Sequence, residues 1–468
     1  MTKPSDMRVV GVRLYLLPIP TRVPLKFGGE TLTEVTCARV CVRVRNRSGT
    51  VAEGWGETPL SVQWAWPGAL PFAPRLAAMR ELCRRIARAW AERDAWGHAL
   101  ELGWDFAEED LLRLATGIET GGDVGPIPRL AALICASAFD VALHDAFGNL
   151  VRRPTYETYT AEFLTRSLTE YFAEDTVACG WFQHEYPDSY LQPRRERLLA
   201  WHLVGGLDPV SPADLRGDEP RDGHPVLLED WIRRDGLKCL KVKLRGTDEA
   251  WDYDRLVAVG RLAVRHDVWW LSADFNCTVH DPEYVNGFLD RLRDEEPRLY
   301  GMLLYVEQPF PYDLPQHALE VRSVAGRKPL FLDESAHDWR LVRLGRQLGW
   351  TGVALKTCKT QSGALLSLCW ARAHGMSLMV QDLTNPMLAQ LPHLLLAAHA
   401  GTLMGVETNS MQFYPDVSAP EAEVHPGCFR RQGGRVSLAT LRGPGFGYRC
   451  EAIARTLPEP HLAVGDAG

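Results

Sequence analysis

The sequence predicts a parallel β/α barrel preceded by a smaller α+β domain. Three observations predict it. Eight short runs rich in apolar, β-branched or aromatic residues recur from Trp201 onward. Helix-like segments separate them, and polar or charged residues gather at the C-terminal tip of run after run. The runs are WHLVGG from Trp201, CLKVKL from Cys239, WWLSADFN from Trp269, MLLYVEQP from Met302, PLFLDES from Pro329, GVALKT from Gly352, MSLMVQD from Met376 and MGVETN from Met404. Fully buried parallel strands look like this. The connecting segment DEAWDYDRLVAVGRLAVRH opens with an acidic first turn and carries an apolar stripe of helical period. QSGALLSLCWARAHG and PMLAQLPHLLLAAHAG each stop at a glycine. Eight such units fit a closed barrel. A doubly wound open sheet is the alternative, and it does not explain polar tips on every strand.

The region before the barrel reads differently. VVGVRLYLLPIP and CARVCVRVRN alternate as antiparallel strands, joined by TRVPLKFGGETLTEV, and apolar helices follow around Ala78–Trp90 and Leu130–Phe147. The expected organisation is an α+β capping domain over residues 1–150, an insertion or lid over 151–198, the barrel over 199–418, and a segment over 419–468 that returns to the capping domain.

Composition narrows the class. The chain has 468 residues, 46% hydrophobic and 24% charged, with a formal charge of -7, which disfavours a nucleic-acid surface. No run of about 18 apolar residues and no signal region stand out. The 11 cysteines are scattered without a CxxC pair, as expected of reduced thiols in a cytoplasmic protein. A small-molecule partner and a homo-oligomer are expected, with neither membrane nor nucleic acid.

Six charged residues sit at successive tips: Lys241 and Lys243, Asp274, Glu307, Asp333 and Lys356. From Lys243 the intervals are 31, 33, 26 and 23 residues, each one βα unit. In a closed barrel these tips share one mouth. Asp274, Glu307 and Asp333 come from three consecutive strands. Buried together they would repel unless a cation neutralised them, and three oxygen ligands with open positions suit Mg²⁺. Lys241 and Lys243, two apart, face the same way. Mutual repulsion and a nearby cation should favour the neutral amine that a base requires. Lys356, on the sixth strand, should lie across the mouth. Lys359 is expected to be solvated beyond its strand, and Lys238 to face the other side.

LKVKLRG, SADFN, YVEQP, FLDES and ALKTCKTQSG, in this order and spacing, resemble the enolase superfamily, in particular its muconate-lactonising subgroup. FDVALHDAFGN, GWGETP and PGFGYR resemble further segments of that family. The resemblance implies one Mg²⁺ (Mn²⁺ being a possible substitute) on Asp274, Glu307 and Asp333. It implies an acid/base pair of Lys243 and Lys356, with Lys241 beside the base. It also implies that the loops TRVPLKFGGETLTEV and GWGETPLSVQWAWP cover the mouth and set specificity. Their Phe27, Trp64 and Trp66 point to a substrate with an apolar or ring portion. The seventh tip reads VQDLTNP, so the His–Asp dyad of mandelate racemases is absent. The eighth reads VETN instead of the DxD of dipeptide epimerases, which disfavours a dipeptide. Candidate substrate contacts are Glu407, Asn276, Gln381 and Phe27, with a supporting role as the alternative for Glu407.

The implied reaction removes the α-proton of a carboxylate through an enediolate, giving a racemase, an epimerase or a cycloisomerase. A dehydratase (lyase) on the same site is the first alternative. A Schiff-base aldolase and a non-catalytic binding protein on this fold are the others.

Overall fold

The computed structural model describes residues 3–27, 29–68, 70–118, 126–177 and 179–466. The first domain is built on an antiparallel sheet of β1 (Met7–Phe27), β2 (Glu30–Asn46) and β3 (Val51–Pro59). The loop expected between the first two strands is itself strand: β1 and β2 stay paired out to Phe27↔Glu30, past an irregularity between Pro20 and Leu25. The result is a long hairpin ending at Phe27. Helix Arg129–Val151 packs on β3 and β2. Gly54 and Gly56 permit this close approach, since a Cβ on Gly54 would lie 2.1 Å from Ala146 N and one on Gly56 2.1 Å from Ala138 O. That helix is long and apolar enough to cross a membrane (mean hydropathy 1.6), but its apolar stretch is wholly buried inside the protein, as for a core helix.

The second domain is a curled parallel sheet of eight strands: β4 (Arg197–Val204), β5 (Cys239–Lys243), β6 (Trp270–Asp274), β7 (Leu303–Glu307), β8 (Leu330–Leu332), β9 (Gly352–Leu355), β10 (Ser377–Val380) and β11 (Val406–Glu407). They pair in the order β10-β9-β8-β7-β6-β5-β4-β11, with helices in the connections. The seam between β10 and β11 carries no ladder. It is bridged by Leu403 N donating to Leu378 O (2.7 Å) and by Asn409 bonding Asp382. The short β12 (Arg435–Ser437) pairs antiparallel with β4, and β13 (Leu462–Gly465) with β1 of the first domain.

Among the described residues of 151–198, expected as an insertion or lid, none lines the cleft at the strand tips. They pack against both domains: Thr165 and Arg166 bind Glu101 and Asp105 of the capping domain, and further contacts reach the barrel helices. Gln361 donates to the Tyr156 and Tyr159 hydroxyls, Trp370 Nε1 to Asp175, and Arg340 to Glu174. The aromatic residues that looked aperiodic are buried there, Tyr159, Phe172 and Phe182 each to 0% exposure. The ten described cysteines are all free.

Candidate active site

Strand register sets the carboxylates side by side. Lys243 pairs with Asp274 and Asp274 with Glu307, so β5, β6 and β7 end level; Asp333 follows the last residue of β8. Gln308 joins the next pair of tips. Its Oε1 accepts from Asp333 N (2.7 Å) and Ser335 N (3.2 Å), and its Nε2 donates to Ser335 Oγ (2.8 Å). The sequence reading passed over Gln308, although it stands next to Glu307 in YVEQP.

Lys241 Nζ donates to Glu307 Oε1 (2.5 Å) and Glu407 Oε2 (2.9 Å), and lies 3.0 Å from Asp274 Oδ2. One Nζ thus holds oxygens of Asp274 and Glu307 no more than 5.5 Å apart, the sum of its two legs of 3.0 and 2.5 Å. Lys243 Nζ sits on Asp274 Oδ2 at 2.5 Å. Lys356 Nζ lies 3.1 Å from Asp333 Oδ2 and donates to Asp382 O at 3.1 Å. Lys243 and Lys356 therefore rest at the two ends of the carboxylate arc. Lys238 turns away and binds Asp267 at 2.7 Å.

Two expectations about lysines need correction. Lys359 is not solvated. The turn Thr357–Lys359 folds it back so that it is 3% exposed, with Nζ on Asp333 O (2.5 Å) and Oδ1 (3.3 Å). The neutral amine expected of the Lys241 and Lys243 pair beside a cation is not seen at Lys241 when no cation is bound, and Lys356 behaves alike. Burial works to lower both, but Glu307, Glu407 and Asp274 outweigh it at Lys241, and chiefly Asp333 at Lys356, so both stand above the ordinary lysine range. Attraction to the carboxylates exceeds repulsion between the lysines.

The other candidates divide. Glu407 lines the cleft and bonds Lys241 and Asn409. Gln381 and Asn276, expected to touch substrate, do not line it. Gln381 Nε2 holds Glu307 Oε2 (2.5 Å), and Asn276 gives its backbone N–H to Asp274 Oδ1 and its amide to Glu334 Oε1. From the capping domain, the Phe27 ring centre lies 5.9 Å from Lys243 Nζ and the Trp64 ring centre 5.2 Å from Lys356 Nζ. Trp64 Nε1 donates to Glu334 Oε1 at 2.9 Å, pinning the cap to the barrel. Trp66 lies outside the cleft, its carbonyl held by Arg75.

The donor set fits a divalent cation. Asp274, Glu307, Asp333, Glu334, Asp382 and Glu407 are six buried carboxyl groups against four buried lysines, 241, 243, 356 and 359, a shortfall of two positive charges. Burial and the charges of Asp274 and Asp333 push Glu307 well above the carboxylate range, as a site short of cation would. Among the described residues no three such ligands converge on one point, because lysine amines stand between the carboxylates.

Residues 226–453 match the family described as "Enolase C-terminal domain-like". The match spans 228 of the 468 residues, just under half of the chain, and runs from before β5 to past β12. A curated relative, the aromatic dipeptide epimerase of Herpetosiphon aurantiacus, is 27% identical over 249 residues, which are 52% of this chain and 65% of the relative, just under two thirds of its length. Two solved structures share the fold. The muconate lactonizing enzyme of Pseudomonas fluorescens complexed with muconolactone has a TM-score of 0.60 at 16% identity, covering 97% of both chains. The dipeptide epimerase of Enterococcus faecalis complexed with Mg and the dipeptide L-Leu-L-Tyr has a TM-score of 0.61 at 15% identity, covering 94% of this chain and 99% of that one.

Proposed function

We propose that this chain is an isomerase of the enolase type that removes the α-proton of a carboxylate substrate, acting as a racemase, an epimerase or a cycloisomerase. One observation carries the reading: two buried lysines, Lys243 and Lys356, at opposite ends of an arc of three carboxylates, under an apolar cap. Asp274, Glu307 and Asp333 would hold one Mg²⁺, with Mn²⁺ as a possible substitute. The relative crystallised with Mg supports that ion. When bound, the ion neutralises the carboxylate and the charge that develops on it as the proton leaves.

The chain's own residues do the rest. Lys243 and Lys356 present an amine to each face of the α-carbon, one taking a proton and the other able to return one. Both need release from their carboxylate partners to act as bases, so substrate entry and loss of the Asp274 and Asp333 contacts belong together. Lys241, fixed by three carboxylates, adds positive charge beside the substrate carboxylate. Gln381 and Gln308 hold Glu307 and Asp333 in place. Phe27 and Trp64 exclude water.

The test is α-proton exchange in D₂O, followed by NMR across a panel of chiral carboxylic acids with Mg²⁺ present. Exchange that stops on chelation and returns with Mg²⁺ or Mn²⁺ is expected. Full exchange after exhaustive chelation would refute the reading.

A further inference from the structure

The cleft that holds the lysines has two unlike halves. One half is charged and belongs to the barrel. The other is formed by Leu25, Phe27, Leu32 and Trp64 of the capping domain with Leu203 and Leu383 of the barrel, all 9% exposed or less. From this division we infer the charge class of the substrate, resting on the acid/base reading above: a monocarboxylate whose remaining part is apolar and carries no charge.

A second charge on the distal part would find no partner within the apolar half. Glu407 gives one oxygen to Lys241 and the other to Asn409 Nδ2 (3.1 Å). Both oxygens of Asp382 are taken by Asn409, at 2.7 and 3.1 Å. Both carboxylates belong to the charged half, held there by Lys241 and Asn409, and neither is part of the apolar wall around the distal group. For a second carboxylate, the cations of the hairpin that carries Phe27 are committed elsewhere. Lys26 Nζ donates to Gly29 O (2.7 Å), and Arg22 holds Asp222 through two bonds. The neutral polar groups of the lining are the Ser61 and Thr384 hydroxyls, which suit an amide or ester. An unpaired charge placed among these leucines and aromatic rings would lose its hydration without compensation.

Three ligands that share one α-carbon and differ in the charge of a small acyl group test this: N-acetyl-L-phenylalanine (neutral), L-alanyl-L-phenylalanine (ammonium) and N-succinyl-L-phenylalanine (second carboxylate). Binding to the full chain with Mg²⁺ is measured by titration calorimetry, and α-proton exchange in D₂O separately. The neutral ligand should bind at least about ten-fold more tightly than either charged one. Equal or tighter binding of a charged ligand, or no binding by all three, would overturn the inference. Neutral preference in binding without exchange would leave the pocket assignment standing and count against the acid/base reading instead. Phe27→Arg should shift the neutral-to-succinyl affinity ratio at least about ten-fold toward the succinyl ligand, and an unchanged ratio would remove Phe27 from the apolar wall.

Discussion

Asn409 closes the barrel onto Asp382: its backbone N–H donates to Oδ2 at 2.7 Å and its side-chain amide to Oδ1 at 3.1 Å, across the seam where β10 and β11 share no ladder. The same side chain donates to Glu407 (3.1 Å) and accepts from Leu203 N (3.0 Å) and from buried Arg431 (3.2 Å). Asn409→Leu keeps the branched shape and strips the four side-chain bonds, leaving the backbone bond to Asp382. It should cost about 3 kcal/mol, the upper end for stranding a buried polar group, read as a shift in the urea midpoint. A loss under about 0.5 kcal/mol, typical of a surface change, would show that the seam holds without it.

The lysine arrangement makes a stereochemical prediction. If Lys243 and Lys356 serve opposite faces, Lys243→Ala should abolish α-proton exchange of one enantiomer and Lys356→Ala that of the other, each by about 10²-fold or more. Deuterium incorporation into each separate enantiomer measures it. A variant that exchanges both enantiomers at the wild-type rate has lost no acid/base group.

The charge shortfall predicts stabilisation by metal. Mg²⁺ at about a hundred times its dissociation constant should add about 2.7 kcal/mol to the folded state, seen as a rise in Tm over the same protein in chelator. Asp333→Asn and Glu307→Gln should each lose most of that rise. A rise that persists undiminished in both would place the ion elsewhere.

Much of this architecture was legible in the sequence, for a physical reason. Buried parallel strands must be continuously apolar, and their polar tips must end at one mouth, so eight runs and six charges marked barrel and site together. What stayed hidden depends on contacts that no period encodes. Lys359 is brought back to Asp333 by one tight turn after β9. Phe172 is buried against Trp339 of a barrel helix and Tyr159 against His98 and His144 of the capping domain, contacts distant in sequence, so their segment read as an insertion or lid. The loop around Phe27 read as irregular because of its prolines and glycines, yet strand pairing continues to its tip. The direction of the lysine shifts needed the actual contacts, since repulsion and attraction are both implied by the same residues.

Buried histidines make the fold acid-sensitive. His98, at 0% exposure, is pulled down to about 3 by burial, while in the unfolded chain it titrates near 6.5. The unfolded state therefore binds a proton that the folded state refuses. The stability is intact above about pH 6.5 and is lost progressively as the pH falls toward 3. At pH 5 this one residue should cost about 2 kcal/mol relative to pH 7. His98 Nδ1 also accepts Leu100 N (3.0 Å) at the start of helix Ala99–Glu109. Asn keeps a capping acceptor without the titration. Denaturant midpoints at pH 7 and 5 should thus differ less in His98→Asn than in the parent protein; an identical difference would assign the acid sensitivity to other groups.

Arg22 fastens the hairpin that carries Phe27. Its guanidinium takes both oxygens of Asp222 (2.6 and 2.9 Å) and the carbonyls of His224 (2.9 Å) and Pro225 (3.1 Å), all on the loop after β4. Those hydrogen bonds hold the Asp222 carboxyl down to about 2, so the contact stays ionised throughout the ordinary pH range. Nearer the tip, Gly206 N donates to Lys26 O (2.9 Å) and continues the fastening toward the cleft. A planar fork makes these contacts at once, and a lysine ammonium cannot reproduce the geometry. Arg22→Lys should therefore behave more like Arg22→Ala than like the parent protein. Both should raise amide hydrogen exchange over residues 22–32 by about ten-fold or more, which a lost free energy of about 1.4 kcal/mol would produce, while exchange in helix Arg129–Val151 stays unchanged. If the pair only decorated the surface, as most exposed ion pairs do, neither variant would alter exchange at the tip, and the hairpin would owe its position to the burial of Leu25, Phe27 and Leu32 alone.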